Sequence, residues 1–170
     1  MSVDYLVSSW KDVRSGFVDE VNQIPAEQFT FRATPDTRSI IELLHHVVES
    51  QKMLVGECTR PEPNLMRQSF ADHVREYAQG VTDVTDKNGI MELMRSSMEV
   101  AEATIRSNAD KMDQTMRRFD GKEITRLQFL QFAASHEMYH RGQLTVYARL
   151  LNIEPVLTQR MKKIFAQSAK

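Results

Sequence analysis

The chain has little that could cross-link it and no stretch that reads as a membrane-spanning helix. It holds a single cysteine, Cys58. No intramolecular disulfide can form, which fits a reducing compartment. No stretch approaches the roughly 20 apolar residues that a membrane-spanning helix needs. The opening residues, MSVDYLVSSWKD, carry acids early and lack the basic segment and apolar run of a secretory signal. A cytoplasmic location is expected, with no membrane partner. Neither sign of charge is in excess, since 22 Lys and Arg face 23 Asp and Glu for a net charge of −1. No global field draws in nucleic acid, and none is expected as a partner. Glycine is scarce, with six in 170 residues against ten methionines. Helical spacing over most of the chain makes all-α the class. The length suits one domain, taken as 1–170, and is too short for two comfortable ones.

What the chain does have is four long amphipathic segments. The first runs from Val3 to Asn22 with Val3, Leu6, Trp10, Val13, Phe17 and Val21 as its stripe, and Pro25 follows its end. A long connection leads to Ser39, which with Glu42 three residues later forms a capping box for the second helix. That helix carries Ile40, Leu44, Val47, Gln51 and Leu54 and fades near Glu57. Pro61 and Pro63 mark a loop from Cys58 to Gln68. SFADHVREYAQ reads as a short surface helix with His73 in solvent. Asp86 caps the third long helix, whose face is Ile90, Met91, Met94, Met98, Ala101 and Ile105. NADKMDQTMRRFDGKEI reads as a polar connection ending in an Asp-Gly turn. Thr125 and Gln128 make a second capping box for the fourth long helix, which Asn152 and Pro155 end. A basic tail helix, Thr158 to Gln167, closes the chain. There is no repeat or low-complexity tract. The expected architecture is an up-down four-helix bundle with extra short helices.

The chemistry concentrates in the histidines. His136 and His140 are four apart and stack on one face of the fourth long helix. Phe129, Phe132, Ala133, Leu144, Tyr147 and Leu151 fall on that side too. Imidazoles on an apolar face need partners, because burying unpaired polar groups is costly. Hydrogen bonds to neighbouring helices are one solution, and a divalent metal is another. The second helix offers His45 and His46, on opposite flanks of its stripe, and periodicity does not choose between them. The run HEMYH also matches the zincin pattern H-E-x-x-H. No third ligand follows downstream, and a helical bundle lacks the edge strand that aligns a protease substrate. A di-iron reading would use Glu42-x-x-His45 and Glu137-x-x-His140 with one Glu from each other helix. Glu20 and Glu102 lie on the flanks of their stripes, and Glu42 is already needed by the capping box. Cys58 lies twelve residues beyond His46, too far along a helix to share its site. Gly142, in mid-helix, suggests close approach of another helix, such as one from a second subunit.

Two segments resemble the DinB/YfiT-like family. FTFRATPDTRSIIELLHHVVE is similar to the family's entry into the second helix, and HEMYHRGQLTVYARLLN to its fourth-helix segment. The resemblance implies a bundle in which three histidines bind one divalent ion per chain, zinc or nickel, with open positions for water or a small-molecule substrate. It places the ligands at His46, His136 and His140. It also implies a homodimer and, for some members, transfer of a low-molecular-weight thiol such as bacillithiol, mycothiol or glutathione to a small electrophile. On this reading Glu49, three residues after His46, is a candidate base or fourth ligand. The alternatives are a metal-dependent hydrolase and a non-catalytic metal-binding or stress-response bundle.

Overall fold

The computed structural model describes residues 2–168. Its elements are α1 (Val3–Gln23), α2 (Ile40–Thr59), α3 (Phe70–Tyr77), α4 (Lys87–Ser107), a hairpin of β1 (Thr115–Arg117) and β2 (Glu123–Thr125), α5 (Arg126–Leu150) and α6 (Val156–Ser168). The helix starts follow the caps read from the sequence. Ser39 and Glu42 form the capping box of α2, Thr125 and Gln128 that of α5, and Asp86 accepts from Gly89 N at the head of α4. Asn152 takes a left-handed φ of 60° just past the end of α5, a conformation asparagine tolerates better than most residues.

The four long helices form a four-helix bundle as expected, but not in the simple up-down order expected of it. α1 packs against α4 and α5, and so does α2. Consecutive helices α1 and α2 are therefore diagonal, as are α4 and α5. Contacts give the directions. Arg14 meets Glu137 and Glu20 lies by Arg141, so α1 and α5 run parallel. Lys87 reaches Ile24 O while Arg106 reaches Asp4, so α4 runs against α1. Cys58 lies by Arg126 and Arg38 by Tyr147, so α2 runs against α5. The order is up, down, down, up. The segment 60–86, with α3, makes the return between the two parallel helices α2 and α4.

Two apolar clusters fill the bundle. One gathers Leu6, Trp10, Leu54, Met98 and Phe129. The other gathers Phe17, Leu44, Val47, Ile90 and Leu144. A polar layer divides them. Arg14 and Glu137, both almost fully buried, pair through two hydrogen bonds, and Trp10 Nε1 donates to Glu137 Oε2 at 2.7 Å. Arg14 also donates to Met94 O and to Ser97 Oγ. Buried charges survive only when paired and bonded in this way.

Several expectations change. His73 is fully buried, not solvent-exposed: its Nε2 lies 3.1 Å from Leu65 O and its Nδ1 3.5 Å from Glu57 Oε2. The connection after α4 contains the β1–β2 hairpin, with Met116 paired to Ile124. Phe132, expected on the buried histidine face, is 52% exposed. The tail helix begins at Val156, because Glu20 accepts from the amides of Val156 and Leu157 and so caps it. Its own helix aside, no atom among the described residues lies within 4 Å of a methyl built on Gly142, so no other described helix approaches it. Close glycine contacts lie elsewhere, at Gly16 of α1, where the Arg141 guanidinium crosses the backbone, and at Gly56 of α2, under the Tyr77 ring. No helix among the described residues is long and apolar enough to cross a membrane.

Candidate metal centre

His46 comes from α2, and His136 and His140 from adjacent turns of α5. The structure brings them together at the level of the polar layer. One ring nitrogen from each lies within 4.8 Å of the others. The Nε2 atoms of His136 and His140 are 3.0 Å apart. Two imidazole nitrogens sharing one ion sit at roughly that separation, since each metal–nitrogen bond is about 2.0–2.1 Å. The His46 ring meets both others edge to face, with centroids 4.8 Å from His140 and 5.2 Å from His136.

Neighbours fix the protonation of the triad. His140 Nδ1–H donates to Gln143 Oε1 at 2.7 Å. The tautomer is then set, and the Nε2 lone pair faces His136. Only a proton or a cation between these two nitrogens satisfies both. An acceptor behind a ligating imidazole is the usual arrangement that orients the ring and raises its basicity. Ser50 Oγ lies 3.5 Å from His46 Nδ1 and is a looser counterpart. Burial pushes His46 down to about 3, with Arg38 and the other two rings adding to the effect. Burial likewise pushes His136 to about 4, helped by His140. His140 is also lowered by burial, against the hydrogen bond it donates to Gln143. At neutral pH all three imidazoles are uncharged, the form that binds metal. The donor set fits a divalent transition ion.

The remaining candidates fall elsewhere. His45 Nε2 lies 2.8 Å from Val84 O and is occupied there, on the α3–α4 connection. Glu49 is half-buried and lines the depression beside His46. The di-iron carboxylates are committed to other partners: Glu137 to Arg14 and Trp10, Glu42 to Arg32 and the Ser39 amide, Glu20 to the head of α6, and Glu102 to Lys11 and Arg106. Glu137 cannot serve as the base of an H-E-x-x-H site for the same reason. Cys58 is fully buried, and burial pushes its thiol up to about 12. It is neither a ligand nor a nucleophile.

Sequence reasoning missed Arg14, Gln143 and the role of Arg141. Arg14 sits four residues after Trp10 and three before Phe17, inside the apolar stripe. A charge at that register was the available signal for a buried pair. The HRGQ run now divides by function. His140 faces the site, Arg141 crosses Gly16 toward Glu20, Gly142 is open, and Gln143 orients His140. Tyr139 is exposed, with its ring edge-on to His140 at 5.2 Å.

Several solved structures share the fold. YfiT from Bacillus subtilis, described as a probable metal-dependent hydrolase with an unusual four-helix bundle topology, superposes with a TM-score of 0.69 at 15% identity, covering 89% of each chain. A DinB-like protein from Bacillus subtilis, YjoA, gives 0.67 at 19% identity over 87% of this chain and 92% of its own. A mycothiol-dependent maleylpyruvate isomerase gives 0.66 at 10% identity, over 85% of this chain but 61% of its own. At these identities the likeness is one of fold. No curated relative matches the sequence. The sequence does match the DinB family over residues 1–169, and the chain belongs to that family.

Proposed function

We propose that this protein is a metal-dependent enzyme that transfers a low-molecular-weight thiol to a small electrophile. His46, His136 and His140 would hold one divalent ion, zinc or nickel. The observation that carries the reading is the donor set: three neutral imidazoles, with no further histidine, cysteine or carboxylate grouped with them among the described residues. Such a set leaves coordination positions open, as catalytic sites do. It also leaves the ion its full charge, and the chemistry supplied is acidification of a bound thiol to its thiolate. The protein has no thiolate of its own to offer, since Cys58 is buried. The nucleophile must come from a cofactor. The thiol gives its proton to solvent or to Glu49. The sulfur pair then forms a bond to the electrophilic carbon, and the leaving group departs with its own pair and takes up a proton.

The chain's residues have definable tasks in this scheme. Gln143 holds His140 in the tautomer that presents Nε2. Arg14 and Trp10 fix Glu137, between the two α5 histidines, and so lock the rotation of α5. A second reading is metal-activated water and hydrolysis. Glu49, which shares a depression with His46, supports it as the base that would take a proton from water. Cobalt-substituted protein titrated with bacillithiol, mycothiol, glutathione and cysteine separates the two. Thiolate ligation adds charge-transfer bands that water and imidazole do not. No band with any of them would leave hydrolysis as the better account.

We further propose a homodimer. Phe132, Tyr139, Val146 and Leu150 are each more than half exposed and follow one face of α5. Gly142 lies on that face with open space around it. A stripe of large apolar side chains with a small residue at its centre suits a second helix. Sedimentation showing only monomer at micromolar concentration would reject it.

A further inference from the structure

The segment TPDTRS leads into α2 and carries a cation that the fold does not use. Arg38 precedes the N-cap Ser39, and its carbonyl accepts from the Tyr147 hydroxyl at 2.9 Å. The backbone is thereby tied to α5, while the residue is exposed. The neighbouring Arg32 is paired with Glu42. Arg38 has no carboxylate partner among the described residues.

Its charge is felt by all three histidines, each of which it makes harder to protonate. It also lines two depressions. One, of about 450 Å³, is shared with His46, Glu49, Phe70 and Val74. The other, of about 430 Å³, is shared with Gln143, the partner of His140. Arg38 therefore stands between the depression beside His46 and the one beside Gln143.

Electrostatics gives this position a consequence. Neutral ligands leave a divalent ion its double charge, and the only acid between the two α5 histidines in sequence, Glu137, is already neutralised by Arg14. Of the two acids lining the larger depression, Glu42 is held by Arg32 and Ser39, leaving Glu49 alone. The mouth of the site is thus a positive pole with an apolar wall at Phe70, Ala71 and Val74. A guanidinium fork matches planar oxyanions with two parallel hydrogen bonds.

We propose that Arg38 is the specificity-determining residue of this site, pairing with an oxyanion, carboxylate or phosphate, at the far end of a small ligand whose other end meets the histidine triad. This rests on the metal-dependent reading above. The ligand's short carbon chain lies along the apolar wall between the two poles.

The test compares 3-mercaptopropionate with its neutral amide, and propionate with propionamide, by NMR shift titration of zinc-loaded wild type, Arg38→Gln and Arg38→Lys. Metal content is measured first and should be equal in all three, since Arg38 touches no histidine nitrogen. In wild type each acid should bind about tenfold more tightly than its amide, and in Arg38→Gln the two should agree within about twofold. Arg38→Lys keeps the charge but not the fork, and should fall between. Ethyl phosphate binding above propionate assigns the oxyanion as phosphate. A preference that survives in Arg38→Gln, or is absent in wild type, overturns the proposal. The propionate pair separates it from the thiol reading. If neither thiol binds the metal while propionate still shows the Arg38-dependent preference, thiol transfer falls and Arg38 stands. If both thiols bind equally, Arg38 falls and thiol transfer stands.

Discussion

Replacing Arg14 by Met should cost this protein more than any other single change outside the apolar clusters. Arg14 donates to Glu137 twice, to Met94 O and to Ser97 Oγ, and is 2% exposed. Without it Glu137 keeps only the Trp10 donor, at a site itself 2% exposed. Removing one partner of a buried pair leaves the other charge uncompensated, a loss of about 3–5 kcal/mol. That is about a fifth or more of a typical stability of about 5–15 kcal/mol. With an m-value near about 2.5 kcal/mol/M, the urea midpoint should fall by about 1.5 M. The double variant Arg14→Met/Glu137→Leu should recover most of the loss, because a well-packed apolar pair often matches a buried ion pair. Urea unfolding followed by circular dichroism reads both. A loss of less than about 1 kcal/mol for Arg14→Met, the size expected of an exposed pair, would refute the reasoning.

Other perturbations test the site and its surroundings. Gln143→Leu removes the acceptor that orients His140 and should weaken metal binding by about 10–100-fold with the fold intact, as read by chelator competition; unchanged affinity would make Gln143 incidental. Gly142→Ala should stabilise the dilute monomer by about 1 kcal/mol, since nothing meets the added methyl. It should also weaken self-association, and unchanged dimer affinity in sedimentation would put the interface elsewhere. Metal-free protein should lose stability in mild acid. Burial holds His46 down at about 3 and His136 at about 4 when folded, below the usual imidazole value of 6.5. The unfolded chain therefore binds more protons in that window. Stability from this source is level above the unfolded value and falls as pH drops from there toward 4. Melting temperatures of wild type and His46→Gln/His136→Gln between pH 7 and 5 check this, and an equal slope in the two would contradict it.

The helices were legible because their signals are local. Ser39 with Glu42, Asp86, and Thr125 with Gln128 each mark a start, and the stripes of α1, α2 and α4 are almost wholly buried as periodicity implied. The pairing of His136 with His140 follows from helix geometry alone. The choice between His45 and His46 did not, because both flank the stripe, and the carbonyl of Val84 that occupies His45 arrives from a distant segment. His73 was misread for a related reason. FADHVREY is polar in composition, and the burial of its histidine comes from Leu65 and Glu57 outside it. Helix directions were not readable either. The return through 60–86 that makes α2 and α4 parallel depends on packing partners that no local pattern names.

The central claim is that His46, His136 and His140 together bind one divalent ion. Untagged protein is reconstituted with zinc or nickel, stripped of loosely held metal on a desalting column and analysed for metal content. Wild type and His45→Ala should each retain about one ion per chain, the load of a single three-histidine site. His46→Ala, His136→Ala and His140→Ala should retain little. Metal-free wild type after reconstitution, or full occupancy in His46→Ala with loss in His45→Ala, would contradict the account.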